Sequence, residues 1–212
     1  MSKRGRFGVL ALLLGAIALS SGKAAAADGS SDAALSGSIT GFYYAMRDQS
    51  DFGVGVAALN RGPLHLEARY NYEAREAGSA FVGWNFSGGE KLTFAITPII
   101  GALFGSTHGV IPGVEASIAY GPFDAYVEAE YVYDSHDQSN NYYYAWSELG
   151  WKPAEWLRLG FAGQRTRVVQ TDRDFQRGIF AQVILGKATL SAYAFNPDTG
   201  SRYAIIALGL QF

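Results

Sequence analysis

The chain has 212 residues, a formal net charge of −2, no cysteine and an apolar fraction of 49%. Without a basic excess there is no stripe for nucleic-acid phosphates, and without cysteine there is no disulfide framework, thiolate metal site or cysteine-borne lipid anchor. Past the first residues no run of roughly eighteen apolar residues occurs, which excludes spanning helices and leaves one domain as the expectation.

The chain opens on what reads as an export signal over residues 1–27. Lys3, Arg4 and Arg6 form a basic start, Phe7 to Leu19 is apolar, and Ala25, Ala26 and Ala27 place small residues before Asp28. The apolar run is about a dozen residues, short of the roughly twenty that a spanning helix needs. Cleavage would remove four of the 17 basic residues and none of the 19 acids, leaving a mature charge of −6. A polar leader over residues 28–35 follows, and residues 36–212 are expected to form the folded domain.

From there apolar and polar residues trade places at every second position, separated by short clusters of Gly, Asn, Asp, Ser and Pro, so the period is that of strands. Strands are predicted at residues 36–46, 52–60, 64–74, 79–87, 91–104, 110–120, 123–133, 141–151, 156–168, 177–186, 188–196 and 202–212. Tight connections at residues 60–63, 87–90, 121–122, 152–155 and 186–187 interleave with more polar ones at 47–51, 75–78, 106–109, 134–140, 171–176 and 197–201. That alternation is expected of an up-and-down barrel with short periplasmic turns and longer outer loops.

Within strands the two faces differ in character. In the third, Leu64, Leu66, Ala68, Tyr70 and Tyr72 oppose His65, Glu67, Arg69, Asn71 and Glu73; in the seventh, Ala125, Val127, Ala129, Tyr131 and Tyr133 oppose Asp124, Tyr126, Glu128 and Glu130. Small residues are expected to fill the inner face elsewhere, at Gly53, Gly55 and Ala57 in the second strand and at Gly113, Ser117 and Ala119 around Glu115 in the sixth. A soluble sandwich could show the same alternation. Aromatic placement separates the two cases, because a membrane barrel gathers rings at two interfacial levels. If the first strand ascends, Phe86, Tyr120, Phe123, Trp151, Trp156 and Phe212 share the periplasmic level. Tyr43, Tyr44, Tyr70, Tyr72, Phe104, Tyr131, Tyr133 and Tyr142 to Tyr144 share the outer one.

The last strand alternates Ala204, Ile206, Leu208, Leu210 and Phe212 against Tyr203, Ile205, Ala207, Gly209 and Gln211. It resembles the C-terminal strand of bacterial outer-membrane β-barrel (porin-like) proteins, closely over residues 201–212 and otherwise as architecture, with no specific family identified. The resemblance implies export to the outer membrane, contact with its lipid and lipopolysaccharide, and recognition of the strand ending at Phe212 by the barrel-assembly machinery. Tyr203, which the motif would turn toward lipid, falls on the inner face in this register.

The fold expectation is therefore all-β: a transmembrane up-and-down antiparallel barrel of twelve strands, the first paired with the last because hydrocarbon leaves no backbone group unpaired. Pro98 and Pro112 sit inside the fifth and sixth strands, where bulges or a bend near the outer rim would accommodate them. If that pair does not span, ten strands remain.

For function, Glu67, Arg69, Glu115, Glu128, Glu130, Glu148 and Arg158 are the pore-lining candidates, with Glu73 also on the inner face. Acids in a lumen favour cations. Charges inside a narrow barrel can equally pair and fill it. The first reading is a porin-like channel for passive diffusion of ions or small hydrophilic solutes; the alternatives are a non-conducting structural or surface-interaction barrel, and an outer-leaflet lipid hydrolase such as a lipid A deacylase. The third rests on His108 with Ser106 and Thr107 beside it, a grouping far more common as a plain loop. Asp134, His136 and Asp137 could hold a divalent cation, yet Asp134 to Asn141 reads equally as a solvated loop. No catalytic residue, metal site or cofactor is assigned.

Overall fold

The computed structural model describes residues 34–47, 49–168 and 174–212. The predicted signal, all but the last residues of the leader and part of the loop expected at 171–176 lie outside the described residues. The strand segments in chain order are β1 (Leu35–Met46), β2 (Phe52–Arg61), β3 (Leu64–Tyr70), β4 (Ala77–Trp84), β5 (Phe86–Gly88), β6 (Leu92–Gly105), β7 (Gly109–Tyr120), β8 (Phe123–Asp134), β9 (Tyr142–Ala154), β10 (Leu157–Val168), β11 (Asp174–Leu185), β12 (Ala188–Phe195) and β13 (Tyr203–Gln211).

β4 and β5 are two parts of one crossing. Both pair with β6 in a single register, Gly83 opposite Ile99 and Phe86 opposite Ile96. The rungs missing between them face Thr97 and Pro98, and a proline has no N–H to give the ladder. Twelve crossings result among the described residues, every neighbouring pair antiparallel. The ring closes where β1 meets β13: Ser38 lies opposite Gln211, Met46 opposite Tyr203, and Gly37 and Phe212 exchange backbone hydrogen bonds of 3.0 Å in both directions.

Pro112 acts as Pro98 does. β7 and β8 pair at Val110–Tyr133 and again at Gly113–Glu130 without a change of register, so unpaired rungs stand where bulges were expected, and both strands span. A register shift occurs instead between β9 and β10. Leu157 faces Ala154 but Leu159 faces Trp151, so Lys152 and Pro153 together oppose Arg158.

Alternation holds around the ring. Leu66, Val82, Ile100, Ile118, Val127, Leu149, Phe161, Ile179, Leu190, Ile206, Leu208 and Leu210 point outward and are exposed, whereas charged and aromatic side chains are buried inside. An apolar exterior around a charged interior inverts a water-soluble protein, and it is what a bilayer as solvent requires. The belt's tight-turn edge carries Trp84, Phe86, Tyr120, Phe123, Trp151, Trp156 and Phe212, and its other edge Tyr43, Tyr70, Phe104, Tyr133 and Tyr143.

Four tyrosines expected in the outer girdle are not there. Tyr44, Tyr72, Tyr142 and Tyr144 are buried inside the barrel. Tyr72 changes sides because β3 ends at Tyr70: Asn71 takes a left-handed backbone (φ 59°), and its side chain holds the turn by accepting from Glu76 N–H at 2.6 Å. The second strand is also reversed, with Val54 and Val56 inside and Gly53, Gly55 and Ala57 outside. Its run of Gly, Val and Ala carries no charge to mark the inner face, so pairing with β1, Tyr43 opposite Gly53, sets its phase.

Candidate functional site in the lumen

All seven pore-lining candidates project inward, and the barrel gathers them into two groups. Glu67, Arg69, Glu115, Glu128 and Glu130 meet in one; Glu148 and Arg158 meet in the other, nearer the tight-turn end.

In the first group the Arg69 guanidinium lies between the rings of Tyr72 and Phe81, 4.3 Å from each centroid. Its Nε donates to Glu67. Its Nη1 reaches Glu130 at 2.7 Å, Glu128 at 3.1 Å and Glu73 at 3.4 Å, while Nη2 stands 3.7 Å from Glu115. Hydroxyls supply further donors: Tyr72 to Glu128 at 2.7 Å, and Ser79 to both oxygens of Glu73 at 2.9 and 2.8 Å. Glu73 belongs to the 71–76 loop, which folds into the mouth of the barrel, and Tyr142 Oη fixes it there by donating to the Glu73 carbonyl at 2.8 Å. Gly113 makes the crowding possible, since a Cβ there would come 2.8 Å from Glu130 Cγ.

The second group balances. Arg158 Nε donates to both Asp124 oxygens at 3.0 and 3.1 Å, Nη2 to Oδ1 at 2.5 Å, and Nη1 to Glu148 at 2.6 Å. Lys152 Nζ approaches Asp124 to 3.8 Å. The other Glu148 oxygen accepts from Tyr193 Oη at 2.9 Å and Trp146 Nε1 at 3.2 Å. Gly150 leaves room for this fork, because a Cβ there would lie 2.5 Å from Arg158 Nε.

Between and around these groups the lumen is filled by Trp146, Tyr44, Tyr144, Phe180, Tyr193 and Phe195. A void of about 10 Å³ remains beside Thr40, Gln182, Thr189 and Ser191, room for about one water. Asp124, Tyr72, Trp146 and Tyr193 complete the site but were not among the sequence candidates. Asp124 was recoverable from alternation in β8. Trp146, two positions from Glu148 in β9, and Tyr193, on the Thr189–Ser191 face of β12, were recoverable in the same way, whereas Tyr72 was not, because β3 ends before it.

The loop candidates are engaged elsewhere. Ser106 Oγ donates to the Arg75 carbonyl at 2.5 Å, while the His108 ring lies 5.3 Å from that of His136. Asp134 accepts from the backbone N–H of His136 at 2.8 Å, of Asp137 at 3.2 Å and from Asn140 Nδ2 at 3.2 Å; Asp137 caps Ser139. These carboxylates close a turn.

The sequence matches no family model and no curated protein. Among solved structures, the barrel is similar to the KdgM porin with a TM-score of 0.62 at 10% identity, over 82% of this chain and 98% of that one. The shared fold is a closed antiparallel transmembrane β-barrel. Weaker likenesses are to OccK5 (OpdH) of Pseudomonas aeruginosa (TM-score 0.45, 8% identity, 81% of this chain and 62% of that one) and to the outer-membrane channel DcaP of Acinetobacter baumannii (0.39, 9%, 85% and 97%).

Proposed function

We propose that this porin-like barrel is an outer-membrane channel for small cations, closed in this conformation by the Arg69 group and the aromatic rings packed beside it. The observation that carries the reading is charge imbalance: five carboxylates converge on one guanidinium inside the lumen. A plug evolved only to fill space would balance its charges, because each uncompensated buried ion raises the folding cost. Surplus carboxylates in a lumen attract cations and repel anions.

Passage requires the Tyr72–Glu73 side of the cluster to move, since that loop segment carries two of the groups that bridge the lumen. The export signal over residues 1–27 and assembly through the strand ending at Phe212 belong to the same proposal. Planar-bilayer recording of the purified barrel tests it: cation-selective conductance is expected, and a barrel silent across voltage and pH overturns it. Silence would favour the second reading, a permanently closed structural barrel, for which the tight packing of Trp146, Tyr44 and Tyr144 is the supporting observation.

A further inference from the structure

We propose that the lumen holds a binding site for one divalent transition-metal ion of the zinc type, formed by His65, Glu67 and Glu115. One ligand atom from each of these residues lies within 4.8 Å of the others, the sole such grouping of three among the described residues.

The imidazole gives the independent sign of a ligand. His65 is 6% exposed, and its Nδ1 faces Asn60 Oδ1 at 2.9 Å. Asn60 Oδ1 also accepts from Asn85 Nδ2 at 2.9 Å, and Asn85 Oδ1 in turn accepts from Thr97 Oγ1 at 2.7 Å. With an acceptor opposite it, Nδ1 carries the ring hydrogen and Nε2 presents a bare lone pair. Nε2 has no hydrogen-bond partner among the described residues, and it stands 3.9 Å from Glu67 Oε2. Glu115 Oε1 likewise has no hydrogen-bond partner among them. An imidazole whose far nitrogen is fixed by an amide oxygen, with its near nitrogen aimed at two carboxylates, is the second-shell arrangement that orients metal-ligating histidines.

Charge points the same way. Glu67 already meets Arg69 through Oε1, yet the surrounding acids outnumber that guanidinium five to one. A divalent ion bound by Glu67 and Glu115 would offset part of the surplus. One nitrogen and two oxygens suit zinc, cobalt, nickel or copper, whereas calcium takes six or more oxygens. Metal–ligand distances near 2.0–2.2 Å bring tetrahedral donors to roughly 3.5 Å apart, so the side chains must close by about an ångström, and water takes the fourth position. The inference rests on inward placement of these side chains and does not depend on conduction.

The chain contains three histidines, so the His108→Ala/His136→Ala barrel keeps only the lumenal imidazole. In that tag-free background, folded in detergent micelles, Zn²⁺ titration by calorimetry should give one site per barrel. Cu²⁺ loaded in its place should show one imidazole nitrogen by pulsed electron paramagnetic resonance. His65→Gln and Glu115→Gln should each weaken Zn²⁺ binding at least tenfold, and Asn60→Ala by ~10-fold, with heat-modifiable gel mobility reporting that each variant stays folded. No Zn²⁺ binding by the folded His108→Ala/His136→Ala barrel overturns the proposal, as does binding that His65→Gln leaves unchanged. Conductance, measured separately, reports on the channel reading alone.

Discussion

The lumen contains two arginine-centred groups of opposite design. Around Arg158 two carboxylates face Arg158 and Lys152, and both oxygens of Asp124 and of Glu148 have donors or a cation at hand. Around Arg69 five carboxylates share one guanidinium, and Glu130 Oε2, Glu115 Oε1 and Arg69 Nη2 lack hydrogen-bond partners among the described residues. A satisfied, neutral cluster braces the wall of a barrel; an unsatisfied, anionic one is costly to bury and is retained for what it attracts.

The contrast breaks most readily at Arg69 itself. Arg69→Met leaves five buried acids with no central cation and should cost about 3–5 kcal/mol of stability, the range for stripping one partner from a buried ion pair, read from urea unfolding in lipid vesicles. Arg158→Met should cost less, near or below about 3 kcal/mol on the same scale, because Lys152 still approaches Asp124 and Glu148 keeps its Tyr193 and Trp146 donors. Equal losses in the two variants would erase the distinction.

A sharper probe is selectivity. Glu128→Gln with Glu130→Gln should move the reversal potential under a KCl gradient toward zero, while Asp124→Asn, in the balanced group, should shift it less. Tyr72→Ala removes a ring against Arg69 and the donor to Glu128, so single-channel conductance should rise.

The smallest effect belongs outside the lumen. Asp51, in the loop after β1, is held below the ordinary carboxylate range, chiefly by the hydrogen bond from Tyr43 Oη and also by the Met46 N–H. A depressed folded-state value contributes stability above the ordinary Asp value that disappears as pH falls through the folded one. Asp51→Asn should therefore flatten the acid limb of the stability profile slightly and leave conductance unchanged.

Much of the site was legible in the chain. Strict alternation in β3 and β8 turned Glu67, Arg69, Glu128 and Glu130 to one face, and the same rule carried Asp124. It failed where alternation stopped or carried no contrast: at Asn71, whose left-handed turn sends Tyr72 into the mouth alongside the inward Glu73, and in β2, where Gly and Val look alike from either side. Pro98 and Pro112 signalled irregularity correctly, but a missing donor leaves an open rung without necessarily making a bulge.

The sequence by itself determined the class of this protein, because period-two patterning and interfacial aromatics are local properties of each strand that a bilayer sorts one segment at a time. It also determined which charged residues share the inner face. Only the tertiary structure decided which of them meet. Arg69 reaches Glu128 and Glu130 across separations of 59 and 61 residues. Ring closure and strand register set those encounters, and no periodicity along a single strand encodes them.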